Sequence, residues 1–281
     1  MKKNKIITLQ LLMLLAAGSF LMVSCQKKFD PNSYKPERTF GGFSSSNQIE
    51  PAALVAHLSF EGNLVDSVSK TSGQAFGTSY SAGIKGQALS VGLNNYALFP
   101  PTSGIKSLQS MSISFWVNTP VNTAGIQTPI SFANASQFWG NFDMFYDGQS
   151  ANGATFKIHL FGNGGAKEVW FTNWTLTNPW NSWQHFVLTY DIASNMFTFF
   201  VNGTQIGNST QSGFGAPNFS SVPNIALGTI QFMTNPSLTT ATGPQPWASY
   251  LLGSMDELRI YSKALTAKEV NALFQLENLG K

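Results

Sequence analysis

The sequence predicts an all-β fold, with strands stacked as a sandwich and one short helix close to the C-terminal end. Three observations carry this. From residue 53 onward, short runs alternate between apolar and polar residues with a period of two, and clusters of Gly, Asn, Pro and Ser separate them. Only 10% of the 281 residues are charged, against 43% hydrophobic and 13% aromatic. That balance excludes a charged disordered chain or a coiled coil and supplies a large core. Finally, a single well-marked helix signal occurs, and it comes last.

The strands follow in chain order. Leu54, Ala56, Leu58 and Phe60 share one phase, with His57, Ser59 and Glu61 in the other. Met111, Ile113, Phe115 and Val117 alternate with Ser112, Ser114 and Trp116. Phe156, Ile158 and Leu160 oppose Lys157, His159 and Phe161, and Phe186, Leu188 and Tyr190 oppose Trp183, His185, Val187 and Thr189. Met196–Val201 is apolar on both faces, as a strand covered on both sides would be, and Asn202-Gly203 then gives the two-residue hairpin signal. Residues 209–224 and 231–250 are rich in Gly, Pro, Ser and Thr and read as long surface loops. For the helix, Thr266 and Glu269 fit a capping box, and Leu265 with Val270 fits a hydrophobic staple, so Ala267 to about Leu276 is a short amphipathic segment covering an edge or end of the sandwich.

The N-terminal end carries an address. Lys2, Lys3 and Lys5 precede 18 uncharged residues, Ile6–Val23, as in an export signal. The chain's one cysteine, Cys25, follows after Ser24, and Leu21-Met22-Val23-Ser24-Cys25 resembles the lipobox of bacterial lipoproteins in the serine-containing form common in Bacteroidetes. The expected organisation is a signal peptide over 1–24, a lipidated Cys25 with a flexible tether over 25–52, and a folded domain over 53–281. The resemblance implies an outer-membrane lipoprotein of the cell envelope, facing the surface or the periplasm and held to the membrane by acyl chains. The tether starts Gln26-Lys27-Lys28, basic rather than acidic, and so lacks the usual surface-export tag. The formal net charge of +3 belongs to the three export lysines; from residue 53 onward nine basic residues face ten acidic ones. A nearly neutral domain excludes a nucleic-acid footprint and favours an uncharged partner.

Several segments, in order, resemble one family. Phe60-Glu61-Gly62-Asn63-Leu64, Gly86-Gln87-Ala88-Leu89, Ser112–Val117, Trp183–Tyr190, Phe199–Gly203 and Met255–Tyr261, closed by Ala264-Leu265-Thr266 and Glu269-Val270, are similar to the LamG-like (laminin G-like) jelly roll of the concanavalin A-like lectin/glucanase superfamily. The resemblance covers about 54–275 and implies a two-sheet antiparallel jelly-roll sandwich. The superfamily hosts lectins, adhesion modules and hydrolases, so function has to be read from the site.

Glycoside hydrolysis needs two carboxyl groups about 5–9.5 Å apart. Among the ten acids of the domain, Asp143 and Asp147 come closest to a same-face spacing, and the Glu-x-Asp-x-x-Glu arrangement of related glucanases is absent. His57, His159 and His185 are isolated, so no zinc spacing exists. The family implies a structural calcium ion, for which Glu61, Asn63, Asp66 and Asp256 are the candidate ligands. Aromatic residues give the ligand signal, since sugar rings stack their C–H faces on indoles while side-chain amides bind their hydroxyls. Trp139, Trp170, Trp174, Trp180 and Trp247 are the candidate binding residues, with Trp170 and Trp174 in one strand phase. A second candidate surface is the polar phase holding Trp116, Lys157, His159 and His185. The sequence-level expectation is a non-catalytic glycan-binding lipoprotein, with a protein-binding adhesion module and a glycoside hydrolase as alternatives.

Overall fold

The computed structural model describes residues 38–281; the export segment, Cys25 and the first part of the tether lie outside the described residues. The chain divides into two units, Met1–Arg38 and Thr39–Lys281, and everything below concerns the second. Sixteen strands are laid down: β1 (Leu54–Leu58), β2 (Gln74–Phe76), β3 (Ser79–Ala82), β4 (Gln87–Val91), β5 (Tyr96–Phe99), β6 (Met111–Asn118), β7 (Ile126–Phe132), β8 (Phe142–Ser150), β9 (Gly153–Gly162), β10 (Lys167–Thr177), β11 (Gln184–Asp191), β12 (Met196–Val201), β13 (Thr204–Thr210), β14 (Ile225–Leu227), β15 (Ala248–Ser249) and β16 (Gly253–Tyr261). A four-residue helix α1 (Ser103–Lys106), the C-terminal helix α2 (Ala267–Glu277) and three single-turn 3-10 helices at Ser46–Gln48, Asn163–Gly165 and Gln231–Met233 accompany them.

The strands form two eight-stranded sheets. The first runs β13-β12-β11-β6-β16-β4-β3, with β1 also paired to β16; the second runs β10-β9-β8-β7-β14-β5-β2, with the short β15 parallel to β7. Every other pairing is antiparallel. This is the expected jelly-roll sandwich. The alternating phases read from the sequence meet in one core: Ala56, Leu58 and Phe60, then Met111, Ile113, Phe115 and Val117, then Phe156, Ile158 and Leu160, then Phe186, Leu188 and Tyr190. Three parallel phenyl rings, Phe156, Phe186 and Phe199, stack across the two sheets at 4.5–6.1 Å, a geometry favourable by about 0.5–1.5 kcal/mol per pair beyond area burial. The hairpin forms at Asn202-Gly203, both with positive φ, and the capping box at Thr266 and Glu269 is complete.

Register shifts interrupt several of the strand pairings, and two of them redirect buried or aromatic side chains. In β10 the register shifts between Phe171 and Trp174, so Val169 and Phe171 face the core before the bulge and Leu176 after it. In β16 the shift lies between Asp256 and Arg259, with Glu257 at φ 47°. It brings Met255 and Leu258, three apart, onto the same core, and leaves two consecutive acids buried between them.

Two expectations need correction. The later part of the segment expected as a tether over 25–52 is folded: from Phe40 onward the chain packs on the domain. Ile49 is buried with Leu265, Val270 and Leu273 of the helix region, and a Ser46–Gln48 turn is fixed by Ser46 Oγ donating to the Lys281 carbonyl at 2.7 Å. Scattered apolar side chains among serines and glycines give no periodic signal, yet Phe40, Phe43 and Ala53 pack on the same cluster as Ile49 and anchor the segment together. The stretches 209–224 and 231–250 are not simply surface loops either. Phe214, Phe219 and Val222 are fully buried in the main core, and Phe232 is buried with Ala248 in a separate cluster.

Candidate functional site

The outer face of the second sheet carries residues of the phase opposite to the core: Asp143, Phe145 and Asp147 on β8, Lys157, His159 and Phe161 on β9, and Trp170 on β10. Cross-strand register puts Asp143, His159 and Trp170 in one row and Phe145 beside Lys157 in the next. Two loops then bring further aromatics onto this face. The 133–141 loop is held by the buried Gln231, which accepts from Asn134 N at 2.6 Å and donates to the carbonyls of Gln137 and Phe138 at 2.8 Å. It lays Trp139 flat on Phe145, 5.5 Å between ring centroids and 5° apart in plane. Trp247 arrives after Pro244 and Pro246, and its carbonyl accepts from Ile126 N at 3.1 Å as β15 joins β7. A side chain at Gly125 would collide with that carbonyl, so glycine permits the approach.

The result is an aromatic groove of about 370 Å³ whose walls include Trp139, Phe145, Trp170 and Trp247. Trp139 meets Trp170 edge to face at 4.9 Å and Trp247 at 6.0 Å. Trp170 and Trp247 remain 36% and 42% exposed; large apolar rings left in solvent forgo about 25 cal/mol per Å² of burial, and clustered on one face they mark a contact surface. Beneath them runs a polar chain. Asp143 accepts from Ser131 Oγ (2.6 Å) and Gly140 N (2.8 Å) and faces His159 Nδ1 at 3.3 Å. His159 Nε2 lies 3.0 Å from Glu168, and the same Glu168 oxygen accepts from Trp170 Nε1 at 3.1 Å. At the groove floor Lys157 and Asp147 form an ion pair. A polar pocket of about 260 Å³, with Asn122 and Thr123 on its wall, adjoins the groove through Ile126, Asp147 and Trp247.

Of the five candidate tryptophans, then, the structure brings together Trp139, Trp170 and Trp247. Trp174 does not share the face of Trp170, because the β10 bulge turns it inward, where it stacks on Phe171 (4.8 Å) and Phe199 (4.7 Å). Trp180 packs against Tyr146 at 5.3 Å and donates to the Ser150 carbonyl at 2.7 Å, away from the groove. Phe145, Ile126 and Asn122 were missed; the signal for Phe145 was an aromatic residue in the same phase as Asp143 and Asp147. Those two acids do not form a facing pair. Asp143 is buried under the aromatic layer, and Asp147 is the one carboxylate among the described residues lining the groove.

The second candidate surface divides. Lys157 and His159 belong to the groove, whereas Trp116 and His185 lie on the first sheet beneath α2. There Trp116 stacks on Phe274 (5.5 Å), and its Nε1 donates to Glu277 at 2.7 Å. Glu277 also accepts from Arg259 Nε at 2.7 Å, and Arg259 in turn donates to Glu257 at 2.6 Å and to Ser46 Oγ at 3.2 Å. Glu257 faces His57 Nε2 at 2.9 Å. Burial alone would raise the Glu257 carboxyl, but His57 and Arg259 outweigh it and hold the group at about 2. Burial pushes His185 down to about 3, helped by Arg259, so its ring is neutral.

The four residues considered for calcium separate as well. Asp66 has both oxygens filled by its own turn and β1, accepting from His57 N (2.7 Å), Val68 N (3.1 Å), Ser69 N (2.9 Å) and Ser69 Oγ (2.5 Å). Asn63 closes the turn between Glu61 and Val65. Glu61 and Asp256 instead both reach the turn after β3: Glu61 accepts from Gln87 N at 3.0 Å and Asp256 from Lys85 N at 3.1 Å. Side chains at Gly83 or Gly86 would overlap these carboxylates. Asp256 is fully buried, and burial pushes its carboxyl up to about 8 against the two backbone N–H groups that favour its charged form. Pushed to about 8, the group keeps its proton at neutral pH unless a cation lies beside it. Among the described residues no three His, Cys, Asp or Glu side chains gather at one point, so a calcium ion here would draw its remaining ligands from backbone carbonyls.

Comparison with solved structures places the fold. The binding domain of Paraclostridial Mosquitocidal Protein 1 is 16% identical, with a TM-score of 0.59 over 79% of this chain and 52% of that one. The chain thus spans about half the length of that structure. Domain 4 of AbnA, a GH43 extracellular arabinanase from Geobacillus stearothermophilus solved in complex with arabinotriose, is 22% identical, with a TM-score of 0.54 over 79% of this chain and 98% of that one. A botulinum neurotoxin type C structure, described as dependent on two ganglioside molecules for cell entry, is 16% identical, with a TM-score of 0.60 over 83% and 53%. At these identities the likeness is one of fold. No curated protein matches the sequence. A family model does, over residues 91–271. The chain belongs to that family, the laminin G-like branch of the concanavalin A-like lectin/glucanases superfamily.

Proposed function

We propose that this protein is a non-catalytic carbohydrate-binding module, held at the cell envelope by a lipid on Cys25. The observation that carries the reading is the gathering of Trp139, Trp170 and Trp247 on an open sheet face, next to hydroxyl and amide groups and a self-neutralised Lys157–Asp147 pair. Indole faces stack on the apolar side of a sugar ring, and neutral polar groups bind its hydroxyls. The same architecture in the arabinanase domain holds arabinotriose, which supports a sugar-binding use. The groove's single carboxylate is paired to a lysine, an arrangement suited to holding a sugar rather than cleaving it, since hydrolysis requires two carboxyl groups across the bond. In this reading Glu61 and Asp256 hold a calcium ion that braces the Gly83–Gly86 turn, far in sequence from the groove residues and outside its chemistry.

A glycan array probed with the purified protein, with and without EDTA, tests this directly. Binding to at least one glycan, weakened about tenfold or more in Trp170→Ala at unchanged melting temperature, is the expected outcome. Absence of binding to every glycan would overturn it. Mass spectrometry of the membrane fraction, looking for an acylated N-terminal Cys25, tests the anchor.

A further inference from the structure

The groove does not end at its three tryptophans. Trp170 also lines a further cavity of about 330 Å³ on its other flank. This one sits where β10, the edge of the second sheet, comes alongside β13, the edge of the first. Its polar wall comes from the β10 bulge, which exposes Thr172 and Asn173, and from Asn208 and Gln211. Asn173 accepts weakly from Thr172 Oγ1 at 3.3 Å, leaving its amide donors open, and the exposed Asn208 side chain has no partner among the described residues. Together with the polar pocket beside Asn122 on the opposite flank, the three cavities form one row, the groove sharing Ile126, Asp147 and Trp247 with the first and Trp170 with the last, which Trp174 also lines. The row crosses the strands. From Ile126 on β7 to Trp170 on β10 is three strand spacings, about 14 Å at roughly 4.8 Å each, before the third cavity begins. That is longer than one sugar ring. Asp147 and Lys157 are the charged side chains along it, and they neutralise each other.

We infer that the ligand is an internal stretch of a neutral polysaccharide, at least three sugar units long, stacked at its middle on Trp170 and hydrogen-bonded beyond it by Asn173, Asn208 and Gln211. This rests on the carbohydrate-binding reading above. A chain end would need a wall that stops the row on one side; here polar cavities continue past the aromatic centre on both. A uronate or sialylated chain would need unpaired cations, and the row offers none.

The test is affinity electrophoresis of the full protein in gels containing arabinan, xyloglucan, mixed-linkage β-glucan, galactomannan or polygalacturonate. Calorimetric titration with monomer through hexamer of whichever neutral polymer retards it would follow. Affinity should rise at least about tenfold from monomer to trimer. The double variant Asn173→Ala/Asn208→Ala, both surface positions, should lose most of that gain and bind monomer as before, with its melting temperature unchanged. Equal affinity for monomer and trimer would overturn the inference while leaving a single-sugar site on Trp170 standing, and so would polygalacturonate as the tightest ligand. No retardation by any polymer, together with no monomer binding, would overturn both.

Discussion

The two outer faces of the sandwich are built from the same strand alternation and have opposite fates. On the first sheet the outward phase of β6, β11 and β16 is roofed by α2 and by the Phe40–Ala53 segment. It encloses a connected set of charges: His57, Glu257, Arg259 and Glu277. On the second sheet the outward phase of β8, β9 and β10 is crossed only by loops, which add indoles instead of a roof and leave Trp170 and Trp247 in solvent. The difference teaches that function on this fold is decided by what the connections lay over a face. A roofed face turns its polar phase into structure; an unroofed one turns it into a site.

The largest expected effect comes from breaking the roofed side. Arg259 is completely buried between Glu257 and Glu277 and also reaches Ser46 and Asn47. Arg259→Ala leaves two buried carboxylates without their cation, which typically costs about 3–5 kcal/mol. Thermal and urea unfolding should show a sharp loss of stability, while Trp170→Ala on the open face should unfold almost like the parent. If both substitutions were equally mild, the contrast between the faces would collapse.

Next in size is the N-terminal roof segment. Ile49 is buried against Leu265, Val270 and Leu273, and Ile49→Ala should cost about 2–4 kcal/mol, at the scale of large-to-small core changes. A flexible tether would show no change in the same unfolding experiment. Glycan affinity should be unaffected in either case, because the segment lies on the first sheet.

How these faces divide was only partly legible in the sequence. The core was, since period-two phases such as Phe156-Ile158-Leu160 survive folding unchanged. So were the hairpin and the capped helix, which are local signals. The bulges were not: an extra residue at Thr172-Asn173 separates Trp170 from Trp174, and counting by twos cannot see it. Nor could alternation separate Trp116 and His185 from Lys157 and His159, since all four are outward-phase residues and only the three-dimensional path of α2 distinguishes them. Trp139 and Trp247 were singled out by their loop surroundings, but their meeting over Phe145 depends on the buried Gln231 and on the β15–β7 pairing, both contacts between segments far apart in the chain.

A smaller effect concerns Asp256 and pH. Its folded carboxyl titrates near 8, raised by burial, against an unfolded value near 4. A raised acid contributes stability that is full below the unfolded value and is lost as pH rises through the folded one. His185, lowered to about 3, runs the other way and loses stability as pH falls below about 6.5. Above pH ~7 the histidine contribution is constant, so in EDTA stability should decline between about pH 7 and 8.5 mainly on account of Asp256, with Glu277, which burial pushes up to about 7, adding to the lower end of that window. Calcium bound by the ionised carboxylate should flatten that decline and raise the melting temperature. Identical curves with calcium and with EDTA would remove the ion from the proposal, and Asp256→Asn, which cannot ionise, should flatten the decline without calcium.

The smallest expected effect lies on the open face. The Trp170 indole is tethered through its N–H to Glu168, which also faces His159, itself against Asp143. Glu168 does not line the groove; it acts on the ligand through the ring it orients. Glu168→Ala frees the indole to rotate on a partly exposed strand, and ordering it again on binding should cost about 0.5–1 kcal/mol, a few-fold loss of affinity measured by titration. Glu168→Gln keeps an acceptor for the indole N–H and should restore most of it. Stability should hardly move with Glu168→Gln and fall by about 1–3 kcal/mol at most with Glu168→Ala, which leaves the buried His159 Nε2 without its partner. A destabilisation as large as that of Arg259→Ala would mean that the polar chain under the tryptophans is structural after all, and that the two faces differ less than their coverings suggest.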